Sequence, residues 1–193
     1  MGRRAREVVA CWVVMLAAGV PSAYAQEGAP PFPKPTKEHQ LLETEVGDWD
    51  GEVTMWLDPK APPVKAKATE SNTMMPGGIW LLSSYSSEFA GSPFHGRGQF
   101  TYDPVKKKYV GTWIDSMVTT PMLMEGSYDP SKKTLTYEGE SPDPSGKMVK
   151  TRTATTHHDD GSRTMTLWMK SDEAGPDWVK WMEVRYRKKA PSK

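Results

Sequence analysis

The residue types best suited to chemistry fall on a stretch that reads as a strand, residues 108–118. Alternation puts Tyr109, Gly111, Trp113, Asp115 and Met117 on one face and Val110, Thr112, Ile114 and Ser116 on the other. The first face is aromatic and carries a carboxylate. If it turns inward, Asp115 is a buried acid that needs a partner, which Arg152, Arg185 or a tyrosine hydroxyl could supply. That arrangement would be a polar anchor, Asp115 or Arg152, inside an apolar ligand pocket walled by Trp49, Tyr85, Trp113 and Met122. The competing reading is a structural ion pair, or an aspartate at a rim.

Other reactive side chains point to chemistry less directly. Met117, Met122 and Met124, with Met165 and Met169 further on, could line an adaptable cavity or simply fill a core. His157 and His158 precede Asp159 and Asp160, but adjacent strand residues face opposite ways, so the pair is expected in a solvated hairpin and no metal site is expected. His39 and His95 stand alone; either would have to aim into a barrel to ligate haem iron, and the sequence requires no cofactor. Paired across strands, Glu70, Asp115, Glu125 and Glu138 would offer an acid and a base. Gly-x-Ser-x-Gly, His-Glu-x-x-His and a phosphate-binding glycine loop are all absent from the sequence, so an enzyme is the weaker reading.

The elements that must position these residues are strands. Residues 50–57, 64–74, 79–89, 94–102, 108–118, 122–128, 133–140, 147–157, 163–170 and 178–187 are rich in Thr, Val, Tyr, Trp and Met and are bounded by Pro, Gly, Asp or Ser clusters. In the third of these both faces begin apolar, which predicts burial on both sides against a helix. The spacers are too short for parallel crossovers, so neighbours are antiparallel. Tyr102-Asp103-Pro104-Val105-Lys106-Lys107 and Tyr128-Asp129-Pro130-Ser131-Lys132-Lys133 repeat one turn. The fold class expected is all-β, an antiparallel up-and-down meander of about ten strands. Closure into a barrel removes exposed edges, with a sandwich as the alternative. Thr36 caps a short amphipathic helix that ends near Gly47 and closes one end of the sheet. Residues 36–189 form this single domain, preceded by a proline-rich flexible segment, 26–35.

Residues 1–25 have the pattern of a cleaved secretory signal peptide. Arg3, Arg4 and Arg6 precede an apolar run from Val8 to Val20, and Ala23-Tyr24-Ala25 offers a cleavage site. The run is too short to span a bilayer, so no integral membrane segment is expected after cleavage, and a periplasmic or secreted location follows. Without this segment 168 residues remain, with 22 basic and 23 acidic side chains and no cysteine. Near-neutrality argues against a nucleic-acid partner, and stability must come from packing rather than disulfides.

Gly47-Asp48-Trp49-Asp50-Gly51, Tyr109-Val110-Gly111-Thr112-Trp113-Ile114-Asp115-Ser116-Met117, Gly146-Lys147-Met148-Val149-Lys150 and Lys34-Pro35-Thr36-Lys37-Glu38-His39 together resemble the bacterial family called Domain of Unknown Function 1579, from about Lys34 to Arg187. That family implies no particular activity. A helical turn followed by Gly-x-Trp on the first strand is also similar to lipocalin and calycin barrels, which implies a cavity for small apolar ligands. Three readings stay open: a binding protein for a small, largely apolar ligand; an enzyme using Asp or Glu with Arg or His in the same cavity; and an interaction module with a filled core. The oligomeric state is not legible.

Overall fold

The computed structural model describes residues 32–58, 60–89, 91–143, 145–170 and 177–190. The signal-peptide reading and most of the proline-rich segment lie outside the described residues. After a helix α1 (Lys37–Glu43) come ten strands: β1 (Gly47–Met55), β2 (Val64–Met74), β3 (Leu81–Phe89), β4 (Ser92–Asp103), β5 (Lys108–Asp115), β6 (Met122–Asp129), β7 (Thr134–Pro142), β8 (Met148–His157), β9 (Arg163–Lys170) and β10 (Val179–Lys188). Each pairs antiparallel with its sequence neighbour, and β10 returns to β1 through Val53 opposite Val184, which closes the barrel. Closure leaves no unpaired edge. No described helix is long and apolar enough to cross a membrane.

Local chemistry fixes the turns. Asp103 Oδ1 accepts from the N–H groups of Val105 and Lys106 at 2.8 and 3.0 Å, and Asp129 Oδ1 from those of Ser131 and Lys132 at 3.0 and 3.3 Å. Lys107 and Lys133 close these turns with φ of 55° and 50°. One sequence repeat thus folds the same way twice, joining β4 to β5 and β6 to β7.

Two buried clusters fill the barrel unevenly. One, centred on Trp49, Val53, Met55, Tyr85, Val184 and Tyr186, lines the wall from β10 through β1 to β3. The other, with Leu81, Tyr109, Met124, Leu135 and Tyr137, lines β3 to β7 and takes in Leu42 of α1. Trp113 packs against both. It can lie flat on β4 because Gly96 has no side chain: a Cβ there would come within 2.1 Å of the indole.

Helix α1 closes the end where β1, β3, β5, β7 and β9 begin. Its first turn is tied by His39, whose Nδ1 accepts from the Thr36 N–H at 3.0 Å, the role a glutamate plays in a capping box. The helix covers the inward face only. Leu81 is therefore buried while Leu82, pointing outward, is 38% exposed, and the expected burial of both faces of the third strand does not occur.

Candidate functional site

Inward-facing side chains near the end remote from α1 form an aromatic group. The Tyr85 ring meets Phe94 edge-on at 5.8 Å and Trp113 at 6.2 Å. The Trp113 indole N–H donates to Asp115 Oδ2 at 3.0 Å, while Asp115 Oδ1 accepts from the Met117 N–H at 2.9 Å. Asp115 therefore finds its partners locally, in its own strand and turn, and fixes the plane of Trp113 rather than pairing with an arginine. Burial pushes the Tyr85 phenol up to about 12. Across the lumen, the Thr151 hydroxyl donates to Met122 Sδ at 3.1 Å.

The next inward positions along β8 are Thr153 and Thr155, facing Leu167 and Met165 of β9 across the sheet. These four, with Met182 of β10, stay partly exposed although they point into the barrel. Inward residues such as Trp49, Val53, Leu135 and Val184 are buried. The inward face is thus least completely enclosed along β8 and β9.

At the helix-capped end lies a polar cluster that the sequence reading did not anticipate. Arg163 is 5% exposed, and its guanidinium carbon sits 4.2 Å from the Trp49 ring centre and 4.4 Å from that of Tyr186. One of its terminal nitrogens binds Glu45 and the other Glu70 at 2.7 Å. His157 Nε2 lies 2.6 Å from Glu45 Oε1. The Asn72 amide donates to Glu70 at 2.6 Å and to the Glu45 carbonyl at 3.1 Å, and the Trp49 indole donates to that same carbonyl at 2.9 Å. Burial pulls the Arg163 guanidinium down to about 10, and it pushes the Glu70 carboxyl up against hydrogen bonds from Tyr186 and Asn72. Its members bond to one another, with Asn72 Oδ1 and Arg163 Nε left without a partner among the described residues, and the cluster ties the α1–β1 link to β2, β8, β9 and β10. A clue was present in the sequence: Arg163 shares the apolar face of Met165, Leu167 and Met169, where a charge demands buried partners.

Of the six residues proposed from sequence, Tyr85, Trp113, Asp115 and Met122 converge on the lumen. Trp49 belongs to the polar cluster at the closed end. Arg152 points outward instead, its Nε donating to Glu138 at 2.8 Å and its guanidinium lying over Trp178 at 4.2 Å. Arg185 is likewise outside, on Glu183 at 3.0 Å. His157 faces in and meets Glu45, contrary to the solvated hairpin expected, whereas His158 is exposed. His39 spends both ring nitrogens on Thr36 and Thr101, and exposed His95 contacts Ser86 on the outer wall at 3.1 Å. Neither His39 nor His95 aims into the lumen. Among the described residues no group of three His, Cys, Asp or Glu could hold a metal ion.

Two hollows also open on the outer wall. One, of about 560 Å³, runs along β8 to β10 beside Thr164, Thr166 and Trp168. The other, of about 700 Å³, crosses β10 to β3. Both are edged by charges that already pair along the wall, among them Lys67 with Glu52 and Arg185 with Glu183.

Comparison with known proteins supports this architecture. The family described as Protein of unknown function (DUF1579) matches residues 34–188. Among solved structures, the crystal structure of Rv2717c from M. tuberculosis is similar with a TM-score of 0.58 and 12% identity, covering 80% of this chain and 99% of that one. At that identity the likeness concerns the fold alone. No curated protein matches the chain.

Proposed function

The chain belongs to the DUF1579 family, and on that premise we propose that it holds a small, largely apolar ligand inside its barrel, between the aromatic group of Tyr85, Phe94 and Trp113 and the half-open wall of β8 and β9. The observation that supports this reading is the incomplete burial of the inward residues Thr153, Thr155, Met165, Leu167 and Met182. A barrel that served only as a packed module would have filled this space, since interiors are close-packed. Methionines on this wall adapt to ligands of varied outline. Entry is at the end remote from α1, where Phe89 stacks on Trp181 at 6.2 Å. In the same reading, the N-terminal residues direct export and the barrel works in the periplasm or outside the cell.

The test is native mass spectrometry of the protein expressed from its full gene and recovered from the extracytoplasmic fraction. The expected result is a chain beginning at Gln26 with a reproducible non-covalent adduct that collisional heating removes. A bare mass, together with no change in tryptophan emission on adding an apolar probe such as 1-anilinonaphthalene-8-sulfonate, would overturn the ligand reading. An intact N-terminus would overturn export by cleavage.

A further inference from the structure

We propose that the polar end of the lumen ligand is received by Tyr137, Thr153 and Thr155, and that this end is an uncharged oxygen function, such as a ketone, ester or alcohol, on a hydrocarbon body. The proposal rests on the reading of the lumen as the ligand site and names the class of molecule that fits it.

Tyr137 on β7 and Thr153 on β8 are direct cross-strand partners, and Thr155 is the next inward residue on β8. Tyr137 is 7% exposed, and its hydroxyl has no hydrogen-bond partner among the described residues. Thr153 and Thr155 are partly exposed, and neither hydroxyl bonds to a described residue. Thr151, one step further along, is satisfied by Met122. A buried hydroxyl without a partner is unfavourable, and native proteins pair nearly all of them. Two adjacent strands here place these three residues side by side on the inward face, next to the apolar Met165 and Leu167 of β9.

The chemistry of the three groups defines what they receive. A phenol and two secondary hydroxyls donate to an oxygen acceptor, and the threonines also accept from a ligand hydroxyl. Burial pushes the Tyr137 phenol far up, so it stays a protonated donor. An ionised carboxylate or phosphate has no counter-ion here. Among the described residues the one buried cation of the lumen, Arg163, is already shared between Glu45 and Glu70.

Titration of the mature protein with octane, methyl hexyl ketone and sodium octanoate, followed by tryptophan emission, tests this. The ketone should bind about 5-fold more tightly than octane, the increment of one or two hydrogen bonds, with octanoate weakest. Tyr137→Phe, alone and with Thr153→Val, should lower ketone affinity about 5-fold and leave octane unchanged. The ranking of the three probes on the wild-type protein reads the same point even if a variant fails to fold. Octane bound as tightly as ketone, or ketone binding unaffected in a folded Tyr137→Phe protein, would overturn the hydroxyl site and leave the apolar lumen standing. Octanoate binding tightest would overturn the uncharged class. No binding by any of the three would overturn both readings.

Discussion

Arg163 is enclosed by two aromatic rings and two carboxylates, so its contribution is decided by what its loss leaves behind. Removing one partner from a buried ion cluster strands the others, at a cost of about 3–5 kcal/mol. Arg163→Met should therefore destabilise the barrel by that amount near neutral pH, read from urea unfolding. With the guanidinium gone, the Glu70 carboxyl, which burial already holds above its ordinary value, rises further. Stability is then lost as pH rises through that raised pKa, so the deficit should shrink on acidification toward pH ~4. A deficit constant across that range would show that lost packing dominates. Gly96 makes a second prediction at this scale. A Cβ there would reach within 2.1 Å of Trp113, so Gly96→Ala should cost about 1–3 kcal/mol and shift tryptophan emission. Residues whose strand alternates clearly were legible in the sequence, as Tyr85 and Trp113 were. Arg152 was not, because β8 carries threonine on both faces: Thr151, Thr153 and Thr155 point inward, Thr156 outward. Polarity alone could not say which way Arg152 turned.

At the scale of elements, α1 depends on a neutral imidazole. His39 is 3% exposed, burial holds its pKa below the ordinary 6.5, and its Nδ1 accepts the Thr36 N–H. A depressed imidazole pKa contributes stability that is fully present above the unfolded value and is lost as pH falls through the folded one. Glu38 beside it opposes the shift, and His157, also depressed by burial, acts in the same window. The urea midpoint should therefore fall on acidification below 6.5, and His39→Gln, which supplies an uncharged acceptor, should remove part of that slope. An unchanged slope would assign the whole effect to His157. The paired turns offer a cleaner measurement. Lys107 and Lys133 hold left-handed backbone at φ of 55° and 50°, a conformation that costs a side-chain-bearing residue about 1 kcal/mol. Lys107→Gly and Lys133→Gly should each be neutral to stabilising, by up to about 1 kcal/mol, and equal in sign because the turns are alike. The turn repeat and all ten strands were legible because hairpin chemistry is local. The helix cap was only half legible, since a histidine in the glutamate's place does not spell a capping box.

At the scale of the whole molecule, what the sequence left open was closure and filling. The pairing of Val53 with Val184 joins residues from opposite ends of the domain, and no local pattern distinguishes it from a sandwich. Filling is equally non-local: Trp113 draws two clusters together, while β8 brings three short hydroxyl side chains to the lumen, where longer apolar ones would meet β9. With α1 across one end and the sheet closed, the proposed ligand would enter by the opposite mouth. A ligand that binds the folded barrel and not the unfolded chain stabilises it by mass action, about 2.7 kcal/mol at a free concentration 100 times Kd. For a domain of this size each kcal/mol moves the melting midpoint by about 2–4 °C. Protein recovered with its ligand should consequently melt roughly 5–10 °C above the same protein after organic extraction and refolding, and restoring the extract should return the difference. Equal midpoints before and after extraction would mean that the lumen holds nothing that matters to the fold, and would favour a barrel that works through its outer wall.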